Sequence, residues 1–152
     1  MSEHKATLNW KRESADFTYQ SYNREHIWSF DGGAEVKASA SPAYKGDPAC
    51  VDPEEALVAA VSSCQMLTFL ALATRQRWVV DRYTDDAVGF LEKGPDGKLA
   101  ITRVILRPKI TFGGSTRPTD EELERLNHEA HEACFIASSI KASVTVEAKI
   151  EG

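Results

Sequence analysis

The sequence predicts an α+β fold in the order βββ–α–ββ–α–β, and three observations carry that prediction. Strand-like alternation comes in blocks, rather than alternating one for one with helical segments. Two stretches open with helix-start signals and continue with helical patterning. At 152 residues the chain has the length of one domain, 1–152, with a single core.

Lys5 to Arg12 reads as a first strand, with weak alternation. Arg24 to Phe30 and Glu35 to Ala40 form a hairpin about Asp31-Gly32-Gly33. Ser41 to Val51 is a loop by composition, carrying Pro42, Gly46, Asp47 and Pro48. Asp52-Pro53-Glu54-Glu55 then starts a helix. Asp52 is the N-cap, Pro53 takes the first helical position and Glu55 completes a capping box. Both glutamates also favour the positive end of the helix dipole.

No charged residue occurs from Ala56 to Ala73. A membrane span needs about 18 or more apolar residues, but Ser62, Ser63, Gln65 and Thr68 interrupt this run and Arg75 and Arg77 follow it. The expectation is therefore no membrane, and a helix buried on nearly every face. A single small domain struggles to wrap a helix of about 20 residues, about 30 Å long, on all sides, which makes a monomer the weaker reading. A second subunit is expected to cover part of it.

Beyond Trp78-Val79-Val80, Ala87 to Leu91 and Leu99 to Phe112 bracket the turn Gly94-Pro95-Asp96-Gly97 as a second hairpin. Val104, Leu106, Ile110 and Phe112 share one face of the longer strand. Thr119-Asp120-Glu121-Glu122 is another capping box, opening a helix with Leu123, Leu126, Ala130, Cys134 and Ala137 at helical spacing. The last strand alternates Ala142, Val144, Val146, Ala148 and Ile150 with polar neighbours, giving one buried and one wet face.

Composition narrows the function classes. The net charge is −5, from 18 basic and 23 acidic residues, and no basic run exists to neutralise a phosphate backbone, so no nucleic-acid partner is expected. The segment Met1 to Lys5 has no apolar core of a signal peptide. Three cysteines do not make an extracellular disulfide framework. A reducing, cytoplasmic compartment fits, with any disulfide transient.

Cys64 lies near the middle of the apolar helix and Cys134 near the end of the second. Taken singly, each reads as a small buried hydrophobe. Both, however, sit on faces expected to pack centrally, which would let the two thiols meet. A reactive thiol attacks peroxide and becomes a sulfenic acid, and a second thiol closes a disulfide. Cys50, in the loop, reads as non-catalytic. A zinc site of Cys64, Cys134 and a histidine lacks the closely paired ligands of structural zinc, so no metal is expected. His128 and His131 read as solvated helix residues, His131 alternatively as a base tuning a thiol one turn away. Gly32-Gly33 and Gly113-Gly114 are turn glycines with no helix following them as a phosphate loop requires.

Asp52-Pro53-Glu54-Glu55-Ala56-Leu57-Val58-Ala59-Ala60 followed by Ser63-Cys64 resembles the Pro-Glu and cysteine helix of the OsmC/Ohr family. Ala133-Cys134 before Phe135-Ile136-Ala137-Ser138 resembles that family's second-cysteine segment. The resemblance extends over the whole chain and is most specific in the first motif. It implies an intertwined homodimer whose sheets wrap central helices, and a cysteine peroxidase that reduces organic hydroperoxides. Cys64 would be the peroxidatic thiol, Cys134 the resolving thiol and Glu54 the active-site glutamate. An external dithiol reductant, such as a lipoylated protein, is implied, with no flavin, haem or other cofactor.

Glu54 and Cys64 lie ten residues apart, about 15 Å along a straight helix, so Glu54 would serve the partner's cysteine. The family's thiolate-holding arginine has no counterpart between Ala38 and Val51, where Lys45 is the only basic residue. Arg24, before the second strand, is the candidate for that role, with Lys45 and Arg12 behind it; a solvated hairpin-end charge is the ordinary reading of Arg24. This departure marks a divergent branch. It leaves a second function open: a non-catalytic dimeric binding module for a small apolar ligand. Met66, Leu67, Phe69 and Phe135 near the cysteines suit an apolar tail or plain core packing.

Overall fold

The computed structural model describes all residues from Met1 to Gly152. They form two compact units, Met1–Ala56 and Leu57–Gly152.

The N-terminal unit is a three-stranded antiparallel sheet, ordered β1 (Ala6–Asn9), β2 (His26–Phe30), β3 (Glu35–Ala38). The β2–β3 turn places Gly33 at φ 84°, which a residue without a Cβ adopts freely. Ser41 to Val51 is a loop with one 3-10 turn, Pro42–Tyr44, and it returns to the sheet where Ser39 N–H donates to the Val51 carbonyl at 2.9 Å. Asp52 then caps α1 (Pro53–Arg75) as its chemistry demands. Its Oδ1 accepts from Glu55 N–H at 2.8 Å, and Glu55 Oε2 accepts from Asp52 N–H at 3.1 Å.

The C-terminal unit carries β4 (Val79–Asp85), β5 (Val88–Lys93), β6 (Leu99–Leu106), β7 (Pro108–Gly113), α2 (Asp120–Glu132), β8 (Ser143–Val146) and β9 (Lys149–Ile150). They build two three-stranded sheets, β4-β7-β9 and β5-β6-β8, each with one antiparallel and one parallel pairing. Thr119 caps α2 through the reciprocal pair with Glu122.

The α+β class and the order of helices hold, and the structure adds strands. Leu99 to Phe112 is two strands in two sheets, because Pro108 has no N–H to continue a ladder and the preceding Arg107 N–H turns to Asp85 Oδ1 at 2.6 Å. The terminal strand divides likewise at Glu147–Ala148. β4 is a further element, bulged between Val80 and Arg82.

The side-chain alternation runs unbroken through both corners, so each long strand feeds two cores. Val104 and Leu106 pack with Val61 of α1, against Val144 and Val146. Ile110 and Phe112 pack with Phe69 and Ala73 of α1 and with Leu123, Leu126 and Ala130 of α2. Helix α1 thus spans both cores with Val61, Gln65, Phe69 and Ala73 buried, one residue every four. Its length and mean hydropathy of 1.9 match those of a membrane span, yet this face is the core of the unit. The opposite stripe, Ala60, Ser63, Leu67 and Ala71, is exposed, with Leu67 at 60%.

Candidate active site

Cys64 sits at mid-helix, on the flank of α1 between its buried and exposed faces, and is half-buried. Cys134 lies just past α2, which ends at Glu132 with Ala133 as its C-cap, one turn earlier than the helical spacing predicts. Its N–H donates to the His131 carbonyl at 3.1 Å, and its side chain is buried at 1% exposure. This irregular exit brings the Cys134 thiol beside Cys64, close enough for each to act on the other's ionisation.

The environment treats the two thiols differently. Burial pushes the Cys64 thiol up, but hydrogen bonds from Cys134, from the Ile136 and Phe135 N–H groups and from Thr68 outweigh it, and its pKa falls below the ordinary value. Burial pushes Cys134 up, and its hydrogen bond to Cys64 pushes the same way; the Ala137 N–H, donating to Cys134 Sγ at 3.4 Å, offsets only part of this. Cys64 is therefore the sulfur whose surroundings favour the thiolate, with the Cys134 thiol alongside it. A thiolate with a protonated thiol alongside is the arrangement that nucleophilic attack followed by disulfide closure requires.

The signal for these donors was absent from the residue types, because the groups that lower Cys64 are mostly backbone N–H. Gln65, next to Cys64, was visible only as an interruption of an apolar run. It is 1% exposed, and its Nε2 donates to the Asn127 carbonyl of α2 at 3.1 Å.

Of the apolar residues near the cysteines, Phe69 belongs to the core, fully buried among Ala73, Trp78 and Ile110. Leu67 and Phe135 are exposed, Phe135 at 83%, and leave apolar surface open on the cysteine side of the unit. His128 and His131 lie along a groove of about 470 Å³ between α2 and β8–β9 that includes neither cysteine. No three His, Cys, Asp or Glu side chains converge as a metal-binding group.

Glu54 is half-buried in the first turn of α1, ten residues before Cys64 on the same helix. Within one chain the helix keeps the two about 15 Å apart. Arg24 belongs to the N-terminal unit and is not a solvated charge. It is 8% exposed, with its guanidinium over Tyr22 at 3.6 Å and Tyr19 at 4.9 Å. Its Nη groups donate to the Tyr22 carbonyl and, at 2.6 Å, to the Tyr19 carbonyl, while Nε has no partner. Arg12 instead binds the Ser14 and Ala15 carbonyls, and Lys45 ends the 3-10 turn in the left-handed region at φ 65°. Cys50 is half-buried near Asp47, and burial together with that carboxylate raises its pKa, which suits an inert thiol.

Comparison with known proteins agrees with this architecture. Residues 46–149 match the family model described as OsmC-like protein. An OsmC-like protein of unknown function from Vibrio cholerae is 50% identical over 98% of this chain and 100% of its own, with a TM-score of 0.95. An organic hydroperoxide resistance protein from Elizabethkingia anophelis shares the fold at a TM-score of 0.72 and 17% identity, covering 100% of this chain and 97% of its own. The organic hydroperoxide resistance protein OhrB of Bacillus subtilis does so at 0.63 and 16%, covering 99% and 98%. Among curated proteins none matches. A family match across both cysteines, with a half-identical structural relative over nearly the full length, places this chain in the OsmC-like family.

Proposed function

We propose that the protein is a cysteine peroxidase that reduces organic hydroperoxides, with Cys64 as nucleophile and Cys134 as resolving thiol. The observation that carries this reading is the asymmetric thiol pair: two cysteines brought side by side, one half-buried and lowered in pKa, the other buried and raised. The Cys64 thiolate attacks the distal oxygen of the hydroperoxide. The O–O bond breaks, the alkoxide takes up a proton and leaves as an alcohol, and the sulfur becomes a sulfenic acid. The Cys134 sulfur then attacks Cys64, water leaves and the disulfide forms. An external dithiol, such as a lipoylated protein, returns both sulfurs to thiols by exchange. No cofactor enters these steps.

A homodimer completes the site in this reading, both units of each chain, 1–152, acting as one functional domain. The exposed Ala60, Ser63, Leu67 and Ala71 stripe of α1 is the apolar surface a second copy would cover. Glu54 and Arg24 would reach Cys64 from the partner, Arg24 supplying the cation that desolvated thiolate and peroxide need. Work in a reducing cytoplasm suits thiols that cycle.

The kinship with hydroperoxide resistance proteins supports the substrate class, and the exposed Leu67 and Phe135 support an apolar substituent on it. The purified protein should consume cumene hydroperoxide with dihydrolipoamide as reductant, and Cys64→Ser should abolish turnover. Absence of turnover would favour the second reading, a dimeric binder of a small apolar ligand, for which the missing arginine between Ala38 and Val51 speaks.

A further inference from the structure

We propose that Gln65 is a positioning residue that sets α1 against α2 so that Cys64 and Cys134 close efficiently into a disulfide. This rests on the peroxidase reading for its purpose, but its geometry stands alone.

Gln65 is the polar member of an otherwise apolar buried stripe, Val61, Gln65, Phe69 and Ala73. Its Nε2 donates to the Asn127 carbonyl at 3.1 Å and lies 3.5 Å from Asn127 Oδ1. Two facing oxygens fix which end of the amide is nitrogen. Asn127 is itself 3% exposed and anchored through Nδ2 to the Leu123 carbonyl at 3.0 Å. In an α-helix the Asn127 carbonyl also accepts the His131 N–H, and the His131 carbonyl accepts the Cys134 N–H at 3.1 Å. A hydrogen-bonded relay thus runs from the residue beside Cys64 to the backbone of Cys134.

Stability does not account for a glutamine here. Its Oε1 is buried with no partner, and an unpaired buried carbonyl is unfavourable compared with an apolar side chain of similar size. The surrounding contacts between the helices, Phe69 and Ala73 with Leu123, Leu126 and Ala130, are apolar and non-directional. The Gln65 hydrogen bond adds direction where the others give only area. Intramolecular reactivity depends steeply on such placement: a shift of about 1 Å can change it by on the order of 10²-fold.

The test equilibrates the full chain with reduced and oxidised glutathione and measures the effective concentration of the Cys64–Cys134 pair. In that exchange one protein thiolate attacks oxidised glutathione and releases one glutathione thiolate. The second protein thiol attacks the mixed disulfide and releases the other, so the protein loses two electrons and two protons and glutathione gains them. No peroxide takes part, so the outcome is independent of whether the peroxidase reading holds. Gln65→Met and Gln65→Leu keep the volume and remove the hydrogen bond. Both should lower the effective concentration by about tenfold while the reduced protein melts at the same or a higher temperature. A change smaller than about threefold in either folded variant would overturn the proposal. So would a fall accompanied by loss of melting temperature in both, which would make Gln65 a structural residue only.

Discussion

The thiols of Cys64 and Cys134, 70 positions apart in the chain, lie side by side, and their interaction pushes their pKa values in opposite directions. Lowering one and raising the other separates the roles before any substrate arrives. In the proposed peroxidase the lowered sulfur serves as the nucleophile, and the raised one stays protonated until it resolves the sulfenic acid.

The identity of the donor at position 134 should therefore set the acidity of Cys64. Cys134→Ser retains a hydroxyl that can donate, and Cys134→Ala does not. The alkylation rate of Cys64 rises with pH through its pKa, because the thiolate is the reacting form. That midpoint should lie below the ordinary cysteine value in wild type, stay near there in Cys134→Ser and move up in Cys134→Ala. Cys50→Ser is kept in all three backgrounds so that one thiol is followed. Equal midpoints in the serine and alanine variants would remove Cys134 as the donor.

Arg24 offers a test of the dimeric site. Lysine keeps the charge but not the planar fork that lies over Tyr22 and reaches two backbone carbonyls. Both Arg24→Lys and Arg24→Met should lower kcat/KM for a hydroperoxide by about 100-fold, in line with loss of one group that stabilises transition-state charge. The glutathione-driven disulfide should form in both at the wild-type level. Unchanged peroxidase kinetics would return Arg24 to a purely structural role in its loop.

The exposed stripe of α1 predicts an oligomer. Leu67, 60% exposed in the single chain, would be buried in a dimer, and Leu67→Arg would place a charge in that interface. Light scattering should give twice the chain mass for wild type and a shift toward one chain for the variant. A monomeric wild type would contradict the account of Glu54 and Arg24.

Much of the fold could be read from the residues because local hydrogen bonds produce it. The boxes Asp52–Glu55 and Thr119–Glu122 each close within one turn, so four residues suffice to see them. Strand β4 was hidden by its bulge: the extra residue Asp81 breaks the period of two between Val80 and Tyr83. The corners at Arg107–Pro108 and Glu147–Ala148 were hidden for the opposite reason, since alternation continues through them and only the pairing partner changes. In the site, the cysteines were legible by type and helix position. Burial of Arg24 between two tyrosines and the backbone donors at Cys64 depend on chain geometry that no residue pattern announces.

Asp85 ties three elements together and should matter for stability. It accepts from Ser62 Oγ of α1 at 2.5 Å and from Arg107 N–H at the β6–β7 corner at 2.6 Å. Asp85→Ala should destabilise the protein by about 2 kcal/mol, as expected for hydrogen bonds to a charged group. The urea midpoint should fall with an unchanged slope. A midpoint equal to wild type would mean that water replaces the carboxylate at both donors.

The most direct test of the central claim is mass spectrometry of the reduced protein after one equivalent of cumene hydroperoxide. The account predicts loss of two protons' mass and a peptide linking Cys64 to Cys134, absent in Cys64→Ser and replaced by a trapped Cys64 sulfenic acid in Cys134→Ser. A wild-type protein that remains fully reduced, or one that links Cys50 instead, would contradict it.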